Sequence, residues 1–238
     1  MLKTERMDRV RAALRAQGLT QMIVCDPKSV WYLTGVAVEP YERLLALYLP
    51  TEGEPVLFLN RLFNVPEPPC RTVWHTDTDK PVAQIAEVVG AGRPLGIDKE
   101  WPAKFLIPLM EIHPGMQVVL SSDCVDDCRA CKDAEEQTLM REASRINDAV
   151  NEAAKHYIKG RHDRTRGRRV YDAQFRAHGC EGPSFTTIVS FGANAADPHH
   201  EPDDTVLKEG DCVLFDMGCV KGPLLQRHDP HLVLRPAH

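Results

Sequence analysis

With 238 residues the chain has room for one large domain or two modest ones, and its 43% hydrophobic and 26% charged residues suit a globular protein that buries a real core. A formal net charge of -5 provides no global basic field to draw it to nucleic acid or an anionic membrane surface. The N-terminus, Met1-Leu2-Lys3-Thr4-Glu5-Arg6, has no apolar run behind it of the kind a secretory signal needs, and apolar stretches such as Leu44 to Leu49 are far too short to cross a bilayer.

A cytoplasmic location is therefore expected, with the eight cysteines as free thiols. Cys25, Cys212 and Cys219 stand in apolar runs, where a thiol behaves as a small hydrophobe. The first 120 or so residues read as an α/β layer. Met7, Val10, Ala13 and Leu14 recur at helical spacing, and Gly18 follows as a stop. Gln21 to Cys25 is a short apolar strand ending at Asp26, and Ser29 to Gly35 is a turn-like segment rich in aromatic residues. Two further strands, Leu44 to Leu49 and Pro55 to Leu59, flank a Thr-Glu-Gly-Glu turn. A weak strand at Val73 to His75 precedes a helix at Val82 to Val89, with Gly90 at its end. Then come a strand at Pro94 to Ile97, a helix at Ala103 to Ile112 opened by Pro102, and a strand at Gln117 to Leu120. Strands alternating with helices predict an α/β architecture. No catalytic set gathers in this half, so its residues are assigned to packing, dimerisation or the wall of a pocket.

Cys124, Cys128 and Cys131 have C-x3-C-x2-C spacing, which suits three irons of a cluster or part of a zinc site. No second Cys or His pair follows at suitable spacing, which favours a plain connector. A helix from about Asp133 to Ile158 comes next, with Asp133 as its cap and Glu135 and Glu136 at the positive end of its dipole. Leu139, Ala143, Ile146, Val150, Ala153 and Tyr157 form its apolar stripe. Lys159 to Arg169 is strongly basic and, taken alone, reads as a solvated loop or a nucleic-acid patch.

Gly182 to Val189 reads as a turn into a strand, and Gly192 to Ala196 as a turn. Pro198-His199-His200 follows, then Gly210-Asp211, then a strand from Cys212 to Phe215 that ends in Asp216-Met217-Gly218. On pattern alone Asp216 is a turn former or helix cap, His199 a surface loop residue, and His200 a loop residue or pocket wall.

In this order the residues resemble the Xaa-Pro dipeptidase and aminopeptidase P family, the creatinase-like M24 metallopeptidases. Trp31-Tyr32-Leu33-Thr34-Gly35 is similar to the Tyr-Leu-Thr-Gly signature of that family's N-terminal domain. Lys132, Asp133, Glu135 and Glu136 match its Lys-Asp-x-Glu-Glu segment, and Met140 to Ser144 look like the first helix of its catalytic domain. The run from Gly182 to Gly218 resembles the opening of the pita-bread domain. The resemblance implies an α/β N-terminal creatinase-type domain followed by an incomplete α+β pita-bread catalytic domain. Its bounds are 1–122 for the first domain, 123–132 for a connector, 133–220 for the partial peptidase domain and 221–238 for an aberrant tail.

The implied activity is release of an N-terminal residue preceding proline from short Xaa-Pro peptides. The implied cofactor is a pair of divalent metals, Mn first, alternatively Co or Zn, held by two Asp, one His and two Glu. Such a pair shares a bridging hydroxide and polarises the amide carbonyl. Asp216 falls on the first Asp ligand. His199 falls on the His near the scissile bond, which helps to hold substrate or the developing oxyanion. A homodimer is the default expectation, as family members are often dimers.

After Val220 the pattern stops. Gly-Tyr-x-Ser-Asp-Met-Thr-Arg-Thr, which carries the second Asp ligand, is expected, and Leu224-Leu225-Gln226-Arg227-His228-Asp229-Pro230-His231-Leu232 stands instead. Those residues can be encoded CTA CTG CAG CGA CAT GAC CCG CAC CTN. Read one base later, the same bases give Tyr-Cys-Ser-Asp-Met-Thr-Arg-Thr. Arg161 to Arg168 can likewise be encoded CGG CAT GAC CGA ACG CGA GGC CGG, which one base later gives Gly-Met-Thr-Glu-Arg-Glu-Ala-Gly, close to a Gly-Met-Thr-Glu-x-Glu segment of the family. A frameshift near Lys221 and a local excursion corrected by Val170 account for both departures. As written, the chain is expected to be truncated within the catalytic domain, to hold no complete dinuclear site and to be inactive, with unpaired apolar strand edges lowering its solubility. The alternative is a non-catalytic creatinase-fold module that binds peptides or a partner. A basic-loop nucleic-acid binder is the least favoured, given the net charge.

Overall fold

Apolar residues spaced three and four apart set the first element of the computed structural model. Helix α1 (Thr4–Ala16) buries Met7, Val10 and Leu14 along one face. It opens the first of two units, Met1–Lys132 and Asp133–His238. The structure describes residues 2–157, 164–197, 200, 205–220 and 232–234, with side chains for all of these except 154–157, 164–170 and 232–234.

The first unit continues with β1 (Gln21–Val24), α2 (Pro27–Thr34), β2 (Ala46–Pro50), β3 (Val56–Asn60), β4 (Arg71–His75) and α3 (Pro81–Ala86). It closes with β5 (Leu95–Ile97), α4 (Ala103–Ile112), β6 (Val118–Leu120) and α5 (Asp123–Ala130). The sheet order is β4-β3-β2-β1-β5-β6. Strand β2 runs against β1 and β3, whereas β1, β5 and β6 are mutually parallel and β3 is parallel to β4. Strand β1 is central and buried on both faces, which explains its apolar run. Met22 and Val24 join Met7, Leu14, Leu47 and Leu57 on one side. Ile23 joins Ala46, Phe58, Ile85 and Leu109 on the other.

Ser29 to Gly35 is not a turn. It forms most of α2, because its two ends are capped. The Asp26 carboxylate accepts from Ser29 N–H at 2.9 Å, and Pro27 occupies the first turn, where its missing N–H costs nothing. At the other end Gly35 takes a left-handed φ of 76° and donates to the Trp31 carbonyl at 2.7 Å. The cysteine-bearing stretch after β6 is also helical. In α5, Cys124 and Val125 enter the same core as α1 and α2, Tyr32 O–H donates to the Cys128 carbonyl at 3.2 Å, and Arg129 reaches both Asp26 and Ser29.

The second unit opens with α6 (Ala134–Tyr157) and α7 (Arg164–Ala177), which pack on each other. A reciprocal capping box starts α6: Asp133 accepts from Glu136 N–H at 2.9 Å, and Glu136 accepts from Asp133 N–H at 3.0 Å. From Arg164 onwards the basic run is helix, not loop; residues 159–163 of it lie outside the described residues. Strands β7 (Gly182–Pro183), β8 (Ile188–Phe191), β9 (Val213–Asp216), β10 (Cys219–Val220) and β11 (Leu232–Leu234) complete the unit. They form an antiparallel sheet β11-β9-β8 and an antiparallel pair β10-β7. Part of the tail is thus a paired strand, while 221–231 and 235–238 lie outside the described residues. Ile146, Val150, Tyr171 and Phe175 from the helices meet Phe191, Val213 and Phe215 from the sheet, with Tyr171 edge-on to Phe215 at 5.5 Å.

Candidate functional site

Antiparallel pairing of β8 with β9 sets Ile188 opposite Asp216 and Phe191 opposite Val213. Strand side chains alternate, and Val189, Phe191, Val213 and Phe215 all point into the helix-side core. Ile188, Ser190, Leu214 and Asp216 therefore share the opposite face. Asp216 ends β9 there with its Oδ1 buried. The chain beyond it is fixed: Met217 and Cys219 are buried, Ser184 N–H donates to the Gly218 carbonyl at 2.9 Å, and Glu181 N–H donates to the Val220 carbonyl at 2.9 Å. A carboxylate is thus held at the end of the central strand, on one defined face of the sheet.

The turn after β8 is equally constrained. Gly192 has φ 56° and donates to the Cys212 carbonyl at 2.8 Å; the left-handed backbone favours glycine, and a Cβ there would lie 3.0 Å from Asp211 Oδ1, a tight contact. Asp211 accepts from Lys208 N–H at 2.8 Å, and Asn194 Nδ2 donates to Thr205 Oγ1 at 3.1 Å. His200 places its Nδ1 3.8 Å from Asp197 Oδ2. His199 lies outside the described residues, so no distance joins it to Asp216.

A dinuclear metal centre needs several hard oxygen and imidazole ligands converging on one point. Among the described residues no group of three or more His, Cys, Asp or Glu side chains is placed to hold a metal. Of the expected site residues, Asp216 lies among the described residues, at the end of β9. The cysteine run does not converge either: Cys124 is buried, Cys128 is half-buried and Cys131 is exposed. Burial pushes the Cys124 thiol up to about 11 and also raises Cys128, so both stay protonated at neutral pH.

In the first unit the buried Asp98 accepts from the backbone N–H groups of Cys25, Asp26 and Glu100. Burial first, and Asp98 second, raise the Cys25 thiol far above its ordinary value. This is a buried clamp between β1 and β5. A cleft of about 170 Å³ bordered by Thr34, Val36, Asn64 and Glu67 is smaller than the few hundred Å³ of an ordinary ligand pocket. Ser190, fully buried on the Asp216 face, went unremarked in the sequence; its signal was a small polar residue inside the run Ile188-Val189-Ser190-Phe191.

Two protein-family profiles match the chain. One, described as the Creatinase/Prolidase N-terminal domain, covers residues 6–131, and one, described as Metallopeptidase family M24, covers residues 138–222. The chain is 31% identical over 222 residues to the "Probable dipeptidase PepE" of Mycobacterium tuberculosis, an overlap of 89% of this chain and 58% of that protein. Among solved structures it is similar to dipeptidase PepE from Mycobacterium ulcerans, at 27% identity and a TM-score of 0.82, over 92% of this chain and 61% of that one. It is also similar to the recombinant prolidase from Thermococcus sibiricus, at 26% identity and a TM-score of 0.79, over 93% and 62%. The chain spans less than two thirds of the length of each of these relatives. No helix among the described residues is long and apolar enough to cross a membrane.

Proposed function

We propose, from the premise that this chain belongs to metallopeptidase family M24 and carries a creatinase/prolidase N-terminal domain, that it is of the Xaa-Pro dipeptidase or aminopeptidase type. The reaction is hydrolysis of the bond between an N-terminal residue and proline in short peptides. A divalent metal pair, Mn first and Co or Zn as alternatives, supplies the Lewis acid and the activated water when bound. Asp216 is one ligand of that pair, and His199 contacts the substrate. The acting form is a cytoplasmic homodimer.

One observation carries this reading. Both matched domains occur in order along the chain, and Asp216 ends β9 on the sheet face turned away from the helix-side core. The names borne by relatives, dipeptidase and prolidase, support a short-peptide substrate class.

A polypeptide of these 238 residues is proposed to be inactive, since Leu224 to Leu232 stand where the second Asp ligand is expected. Codons that can encode these residues, read one position later, supply that Asp, so the proposal includes a shift of frame near Lys221. Purified polypeptide with Mn(II) and an Xaa-Pro dipeptide is expected to release no free proline. A gene joined in the shifted frame is expected to yield a product that does. Turnover by the 238-residue polypeptide contradicts the first statement, and an inactive, folded, metal-loaded product of the joined gene contradicts the second.

A further inference from the structure

Buried polar side-chain atoms without a hydrogen-bond partner gather in the second unit. On its two helices they are both amide atoms of Asn147, Oδ1 of Asn151 and Oδ1 of Asp172. Asn147 is only 2% exposed. Native proteins satisfy nearly all such atoms, with protein groups, ordered water or bound ions.

By residue count along an antiparallel helix pair, the three residues stand at one level of the seam. Helices α6 and α7 pack on each other and are joined by residues 158–163 alone, and packed helices with so short a link run antiparallel. Asp172 is eight residues into α7 from Arg164, and Ala149 is eight residues back along α6 from Tyr157 (172 − 164 = 8; 157 − 149 = 8), so the two stand level. Asn147 and Asn151 lie on either side of that level, four apart and therefore on one face of α6.

The inventory at this seam is three oxygen acceptors against one amide donor, with a single carboxylate charge. Asp172 makes no ion pair among the described residues. Oxygen-only sets bind hard cations, and divalent sites of useful affinity bring several carboxylates. One carboxylate with two neutral amide oxygens balances a single positive charge. We infer that the α6–α7 seam binds a monovalent cation, sodium or potassium, through Asn147 Oδ1, Asn151 Oδ1 and Asp172 Oδ1. A water on the ion accepts from Asn147 Nδ2 and completes the balance of donors and acceptors. The ion ties α6 to α7 behind the sheet that carries Asp216. It is independent of the peptidase reading.

Thermal unfolding of the 238-residue protein in sodium, potassium and choline chloride at equal ionic strength tests this. The midpoint is expected to rise by several degrees in sodium or potassium relative to choline, and to climb with concentration, since a ligand of the native state stabilises by mass action. Asp172→Asn, which keeps shape and loses charge, is expected to lose that gain. Equal midpoints in the three salts, or a full gain retained by Asp172→Asn, overturn the site and leave the seam to water alone. If that variant does not fold, rubidium-soaked crystals of the unsubstituted protein decide: an anomalous peak between the three oxygens supports the site, and its absence overturns it.

Discussion

Asp98 shows how much one side chain can organise. Its carboxylate receives the N–H groups that leave the ends of β1 and β5, so two parallel strands close on one acceptor. Hydrogen bonds to a charged acceptor are worth roughly 1.5–3 kcal/mol each, and removing it strands buried donors. Asp98→Ala is therefore expected to cost about 3 kcal/mol or more, read from urea unfolding. None of this was legible in the sequence, where Asp98 is an ordinary acid after a strand; its partners at Cys25 and Asp26 lie over seventy residues earlier. Asp77 gives a pH dependence. Hydrogen bonds from Arg43, then from Asn60, hold its carboxyl below the ordinary value. A depressed carboxylate stabilises fully above its unfolded pKa, near 4, and loses that contribution as pH falls through the folded value. Asp77→Asn should thus lower the unfolding midpoint at neutral pH, with the gap to the unsubstituted protein narrowing in acid below about pH 4.

At the scale of elements, the long periodic helices α1 and α6 and the apolar strands of the first sheet were legible, with ends shifted by a few residues. The helix Ala103–Ile112 was legible to its last residue. Helix α2 was not, because eight residues are too few to display a period and its aromatic-rich segment read as a turn. The punctuation was nevertheless present in Asp26-Pro27 and Gly35. Gly35→Ala, which forces a Cβ into a left-handed backbone, is expected to cost about 1 kcal/mol. Asp133→Ala, which removes one arm of the capping box of α6, is expected to cost about 1 kcal/mol. Both are measured by denaturant unfolding. Helix α5 hid behind its cysteines: only Cys124 and Val125 are buried, and that burial depends on contact with α1 and α2, which spacing within α5 does not encode.

At the scale of the molecule, the two units coincide closely with the two family matches, and the family was legible from short ordered motifs. The site was legible only in part. Asp216 stands at the end of β9, as its place after an apolar run suggested, whereas His199 and most of the stretch after Val220 lie outside the described residues. The stretch from Leu224 to Leu232 matches the expected ligand motif only when codons that can encode it are read one base later. The most direct test is the nucleotide sequence across codons 221–238 and beyond. The account predicts bases that read Tyr-Cys-Ser-Asp-Met-Thr-Arg-Thr in the shifted frame, with that frame staying open into a further His and two Glu. Codons that break the motif, such as CAC for His228, or a shifted frame that stops at once, would contradict it.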